Sequence, residues 1–80
     1  MTNNELEKQL DVFVRDAVMK KYDLNRPKER IVDKVVFKSY ISKAYLVQGV
    51  NEIFLVRGTV TDLDGEQNYH LEIYQKVGEL

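Results

Sequence analysis

His70 is the only histidine, and the chain contains no cysteine. Imidazole is the side chain whose ordinary pKa suits proton transfer near neutral pH. Such work needs a nucleophile or a second titrating partner within reach. His70 falls opposite Thr59 on a strand face that reads polar, with no nucleophile beside it, and reads as a surface residue. Asp62, Asp64 and Glu66 crowd around Gly65, and carboxylate oxygens suit hard cations. The calcium-loop spacing, however, places its glycine later and adds a distant glutamate. The four glycines, Gly49, Gly58, Gly65 and Gly78, are scattered and form no phosphate-binding loop. Tyr40, Tyr45, Tyr69 and Tyr74 are expected in strands, but basic residues do not interleave with them as on a single-strand nucleic-acid platform. These residue types predict no enzyme, no cofactor, no metal and no nucleic-acid partner.

The elements that position these residues are read from the turns. Asp64-Gly65, flanked by runs rich in Val, Ile, Tyr and Thr, is a strong hairpin signal. A two-residue turn there sets Val60 against Tyr69, Gly58 against Leu71 and Val56 against Ile73 on one side, with Phe54. The other side carries Arg57 against Glu72, Thr59 against His70, Thr61 against Asn68 and Leu55 against Tyr74. One side is apolar and the other holds an opposite-charge pair. A slip of one residue would ruin both. Asp64 and Gly65 are therefore expected to be structural.

A second turn is expected over Gln48–Glu52. Setting Leu46 against Phe54 places Ala44 opposite Val56, Ser42 opposite Gly58 and Tyr40 opposite Val60. Gly58 and Ser42 then meet where a helix presses close to the sheet. The same alternation sends Ile41, Tyr45 and Val47 to the outer face with Ile53, Leu55 and Tyr74. That face is expected to be apolar near Gly49 and polar near Asp64. The strands are expected over about 33–47, with a bend or bulge in the first, 53–62 and 67–76.

The helix is read over about residues 3–22. Thr2-Asn3-Asn4-Glu5 has capping-box spacing, and Leu6, Leu10, Phe13, Val14, Ala17 and Val18 recur as one apolar stripe. Lys20 and Lys21 suit the dipole at the far end, and Pro27 ends any helical reading. Val12 and Met19, seven apart, share the opposite face and form a possible second contact patch.

Eighty residues make one domain with a thin stability margin. The absence of cysteine fits a cytoplasmic protein, and no signal peptide or membrane-spanning run of roughly 20 apolar residues is seen. The net charge of −1 gives no general attraction to nucleic acid, but it is unevenly spread. Lys20 to Lys43 holds eight basic and three acidic residues; Ala44 to Leu80 holds two basic and six acidic. Such a dipole steers charged partners.

Three segments carry a family resemblance. Val36-Phe37-Lys38-Ser39, then Gly49-Val50-Asn51 leading into Phe54-Leu55-Val56, then His70-Leu71-Glu72-Ile73-Tyr74-Gln75, resemble the strand region of the cystatins, especially the stefin type. The resemblance covers the chain from the helix to Val77 and implies a helix packed on a curled antiparallel sheet. Cystatins inhibit papain-like cysteine proteases with a wedge of three elements. Gly49 matches the glycine of the middle Gln-x-Val-x-Gly hairpin, Val47 its valine, and Tyr45 stands in place of its glutamine. No glycine precedes the helix, and the proline-bearing hairpin has no counterpart. The resemblance implies the fold more than the inhibition.

The sequence therefore predicts an α+β domain, one N-terminal helix on a curled three-stranded antiparallel meander. Its expected role is a small non-enzymatic interaction module. It is expected to bind a protein partner or itself, as a homodimer, through Tyr45, Val47, Ile53, Leu55 and Tyr74, without contact to a membrane. A reduced cystatin-like protease inhibitor is the alternative.

Overall fold

Thr2 caps the helix as its spacing predicts. Its hydroxyl oxygen accepts the Glu5 amide at 3.2 Å and donates to the Glu5 carboxylate at 3.1 Å. The structure, a computed structural model, describes residues 2–22, 28–49 and 51–79. Helix α1 (Asn3–Tyr22) is followed by strands β1 (Lys28–Phe37), β2 (Tyr40–Gln48), β3 (Glu52–Leu63) and β4 (Glu66–Glu79). Pro27, expected to end the helix, lies outside the described residues. The four strands form an open antiparallel sheet in the order β1-β2-β3-β4, and α1 packs on one face. The architecture is α+β with one N-terminal helix.

The single long strand expected over 33–47 is two strands. Phe37 pairs with Tyr40, so Lys38-Ser39 is a two-residue hairpin turn, with Ser39 at φ 64°. Neither residue is among the usual left-handed turn formers, which is why periodicity ran on through it. The backbone carbonyl of Ser39 accepts the Asp62 amide at 3.0 Å, tying this turn to β3.

The Asp64-Gly65 hairpin has the expected register from Val56↔Ile73 to Leu63↔Glu66. Asp64 and Gly65 have φ values of 52° and 80°, the backbone of a type I′ turn. A side chain at Gly65 would meet nothing within 4 Å, so any cost of adding one arises in the backbone. Gly65→Val is expected to lower the unfolding free energy by about 1 kcal/mol or more, read by denaturant titration. Gly65→Asn should cost less, because asparagine tolerates the left-handed region. Equal losses for the two variants would show that the turn conformation does not matter.

Beyond Val56 the register departs from expectation. Leu55 pairs with Gln75 rather than Tyr74, and Ile53 with Gly78, leaving Tyr74 and Val77 as extra residues in β4. Val32 is the extra residue in β1. These irregularities lie on the two edge strands, where bulges blunt the edge against pairing with another chain.

The β2–β3 register is one residue away from the expected one. Tyr45 pairs with Val56, Val47 with Phe54, Ile41 with Val60 and Lys43 with Gly58. Because side chains alternate, this turns every residue of β2 to the other face. Tyr45 and Val47, expected on the outer face, are 1% exposed and sit in the core with Ile41, Leu6, Leu10, Val14 and Val18. Gly58 does mark the close approach of the helix: a Cβ there would collide with the Val14 side chain. Ser42, expected beside it, lies on the opposite face.

Candidate interaction surface

The helix is held to the sheet by polar contacts as well as by apolar ones: on one side the Tyr69 hydroxyl donates to Gln9 Oε1 at 2.7 Å, and on the other a cluster forms around Lys43. Lys43 alternates in phase with Ile41, Tyr45 and Val47 and therefore points under α1, where its side chain is 4% exposed. Glu7 and Asp11, one helical turn apart, reach it. Lys43 Nζ donates to Asp11 Oδ1 at 3.0 Å and lies 3.3 Å from Glu7 Oε1. The Tyr45 hydroxyl donates to the same Asp11 oxygen at 2.5 Å. Burial, then the neighbouring Asp11 carboxylate, push the Tyr45 phenol well above its usual pKa. Lys34 lies 3.0 Å from Glu7, and Arg15 pairs with Glu29 at 2.6 Å along the same flank. A buried lysine satisfied this way acts as a structural pin between α1 and β2. Nothing in the sequence reading found it. The available signal was the four-residue spacing of Glu7 and Asp11 on the helix and a lone lysine within an apolar alternation.

Helix α1 does not cover the opposite face of the sheet. Its residues are those that alternate with the core: Asp33, Val35 and Phe37 on β1; Tyr40, Ser42, Ala44 and Leu46 on β2; Ile53, Leu55 and Arg57 on β3. Arg57 organises the centre. Its guanidinium donates to Ser42 Oγ at 2.6 Å, to Tyr74 Oη at 2.6 Å and to Asp33 Oδ2 at 3.0 Å. One side chain thus links all four strands, and the Asp33 bond, then that to Tyr74, raise its pKa further. The expected Arg57–Glu72 register is present, but the guanidinium turns inward across the sheet.

On either side of Arg57 the face carries apolar side chains, beside polar ones such as Thr59, Thr61, Asn68 and His70. Toward Gly49 lie Leu46, Ile53 and Leu55, all half-buried, with Lys28, Arg30 and Gln48 around a shallow recess of about 280 Å³. Toward the Lys38-Ser39 turn lie Phe37, 64% exposed, and Tyr40, their ring centroids 6.2 Å apart. The expected polar end near Asp64 is present on β3 and β4, where Thr59 pairs with His70 and Thr61 with Asn68, but on β1 and β2 it needs correction, because the shifted register turns Tyr40 outward and the unforeseen hairpin adds Phe37.

Of the expected contact residues, Ile53, Leu55 and Tyr74 lie on this outer face, and Tyr45 and Val47 do not. Leu46, Phe37 and Tyr40, which the sequence did not point to, lie on that face as well. Val12 is exposed on α1 above Phe13 and Tyr69, which stack at 5.0 Å, while Met19 is half-buried. His70 is on the outer face, 3.5 Å from Glu72. Among the described residues, no group of three or more His, Asp and Glu is placed to hold a metal ion, and no helix is long and apolar enough to cross a membrane. No family model, curated protein or solved structure matches this chain.

Proposed function

We propose that this chain is a small non-enzymatic interaction module that binds a second copy of itself through the outer face of its sheet. The observation that carries this is the apolar side chains at both ends of a face that α1 does not cover. An antiparallel sheet with one solvated face alternates apolar inside with polar outside; here Leu46, Leu55, Ile53, Phe37 and Tyr40 break that rule. The molecule's largest outline, 41 × 21 Å, sets an upper limit close to the ~800 Å² per partner of a standard specific interface. The bulges in β1 and β4 disfavour edge-to-edge pairing, which leaves the face.

The test is solution mass with Leu55→Asp. Wild type is expected to sediment as a dimer at high micromolar concentration, with a melting temperature that rises with concentration. Placing an aspartate against an apolar partner costs about 2 kcal/mol or more, roughly thirtyfold in Kd. The variant should therefore be a monomer that still melts cooperatively. A wild type that stays monomeric at high micromolar concentration sinks the proposal.

The reduced cystatin-like inhibitor keeps one support, Gly49 in the connection between β2 and β3 after a helix-then-meander order. Val47, at the motif's valine, and Tyr45, which replaces its glutamine, are enclosed in the core and have nothing to offer a protease cleft. Self-association is the stronger reading.

A further inference from the structure

The bulges that blunt β4 begin at Tyr74, and the half of the strand before them is regular. From Glu66 to Ile73 each residue pairs in turn with β3, and β4 ends the sheet on that side. In a two-residue hairpin the pair that closes the turn, here Leu63 and Glu66, exchanges both of its backbone hydrogen bonds. The ladder then alternates, so Asn68, His70 and Glu72 bond to β3. The N–H and C=O groups of Gln67, Tyr69 and Leu71 point away from the sheet. The Asp62 amide, opposite Gln67, agrees with this phase, since it turns from β4 and donates to the Ser39 carbonyl. An edge of this kind is a template for one more strand.

The side chains along the edge define which strand it takes. On the helix side Tyr69, Leu71 and Ile73 are half-buried against the core. Beside Tyr69 a recess of about 370 Å³ opens under Val12 and Phe13, rimmed by Lys8 and Gln9, and Val12 is 52% exposed there. On the outer side the row is Glu66, Asn68, His70 and Glu72, all exposed. Arg57, opposite Glu72, directs its guanidinium to Ser42, Tyr74 and Asp33 instead. We propose that this half of the β4 edge takes up an extended segment of a different protein, apolar on the side toward α1 and basic opposite Glu66 and Glu72. A second copy of β4 does not fit. Antiparallel pairing about Tyr69 would set Glu66 of one copy against Glu72 of the other, and like charges directly opposite destabilise a sheet. In such strand addition the backbone supplies affinity and the alternate side chains supply specificity.

The probe is the peptide Lys-Val-Thr-Leu-Thr-Val-Lys with blocked ends, which presents the same two faces in either direction. Titrated into the isotope-labelled full chain, it should shift the Tyr69 and Leu71 amides. At saturation it should slow their hydrogen exchange at least about tenfold, because they gain an acceptor. Exchange at Asn68 and His70, already bonded to β3, should change little. Proline in place of the central leucine removes a backbone donor and should abolish binding. Glutamate in place of both lysines should weaken binding at least about tenfold, and Glu66→Lys with Glu72→Lys should reverse that preference. If this double variant fails to fold, Glu66→Gln with Glu72→Gln should remove the preference. Unchanged exchange at Tyr69 and Leu71 in millimolar peptide would overturn the proposal. So would undiminished binding of the proline peptide, or a response confined to Phe37, Tyr40 and Leu55 on the outer face. The readout is the same for a monomer and a dimer, so failure here leaves self-association standing.

Discussion

Asp11→Ala is expected to cost about 3 kcal/mol of unfolding free energy, the largest loss from any single exposed-flank residue of the helix. At ~0.05–0.15 kcal/mol per residue, an 80-residue domain has only about 4–12 kcal/mol in total. The cost has two parts. The Tyr45 hydroxyl, in a residue 1% exposed, loses its acceptor and cannot turn to water. Lys43, 4% exposed, loses the nearer of its two carboxylates. Lys43→Met should cost less than about 1 kcal/mol, because Glu7 and Asp11 are more exposed than the lysine and rehydrate, while the Tyr45–Asp11 bond survives. The contrast is the test: equal losses for the two variants, measured by denaturant titration, would mean that Lys43 is not the buried partner. The same cluster sets an acid limb. The hydrogen bond from Lys34, supported by Lys43, holds the Glu7 carboxyl below its ordinary value of about 4.5. The folded state therefore favours the ionised form. Its contribution is fully present above about pH 4.5 and disappears as pH falls through the lower folded value. The stability gap between wild type and Glu7→Gln should narrow over that window.

Gly58→Ala should destabilise, although the usual sign is the reverse. Glycine in a strand lacks a side chain to pack and has excess freedom in the unfolded chain, so replacing it with alanine commonly gains about 0.4–1 kcal/mol. Here the new Cβ would strike Val14 Cγ2 and lie 3.2 Å from Leu10 Cδ1. Val14 is held by its helix in one strongly preferred rotamer and is fully buried, so it cannot swing aside. Overpacking of this kind costs about 1–3 kcal/mol, which outweighs the entropic gain; Gly58→Val should cost more. In the background of Val14→Ala the penalty should largely vanish, giving a coupling of about 1 kcal/mol or more. Strict additivity of the two substitutions would show that the helix does not press on this glycine.

The legible parts of the fold were those with unambiguous chemistry. Thr2 and Glu5 bracket the helix start, and an Asp-Gly turn fixes one hairpin's register outward until the first bulge. The β2 strand was misread for a physical reason. Ile41, Tyr45 and Val47 alternate with Ala44 and Leu46, so both phases look apolar and hydropathy cannot choose between them. Lys43 then argued for the wrong phase, since a lysine is expected to face water and this one is neutralised by acids more than thirty residues away. Lys38-Ser39 carries no glycine, proline or asparagine and left no mark. The shifted phase placed Tyr45 and Val47 on the outer face, whereas they lie in the core, and the unmarked turn concealed Phe37 and Tyr40; Ile53, Leu55 and Tyr74 lie on the outer face as expected, although beyond the first bulge Tyr74 no longer pairs with Leu55.

The meander pairs each strand only with its neighbour in the chain, yet the helix that completes the core comes first and rests on the strands made last. During synthesis Leu6, Leu10, Val14 and Val18 are finished long before Gly58 and Val60 are made. At ~5–20 residues per second, the forty residues from Met19 to Gly58 take about two to eight seconds, and for that interval Leu10 and Val14 lack the glycine they press against. The ion-pair partners of Arg15, Glu7 and Asp11 are made within the same interval, Glu29 and Lys34 first and Lys43 after them. The polar anchors of the helix have thus all been synthesised before its closest apolar contact.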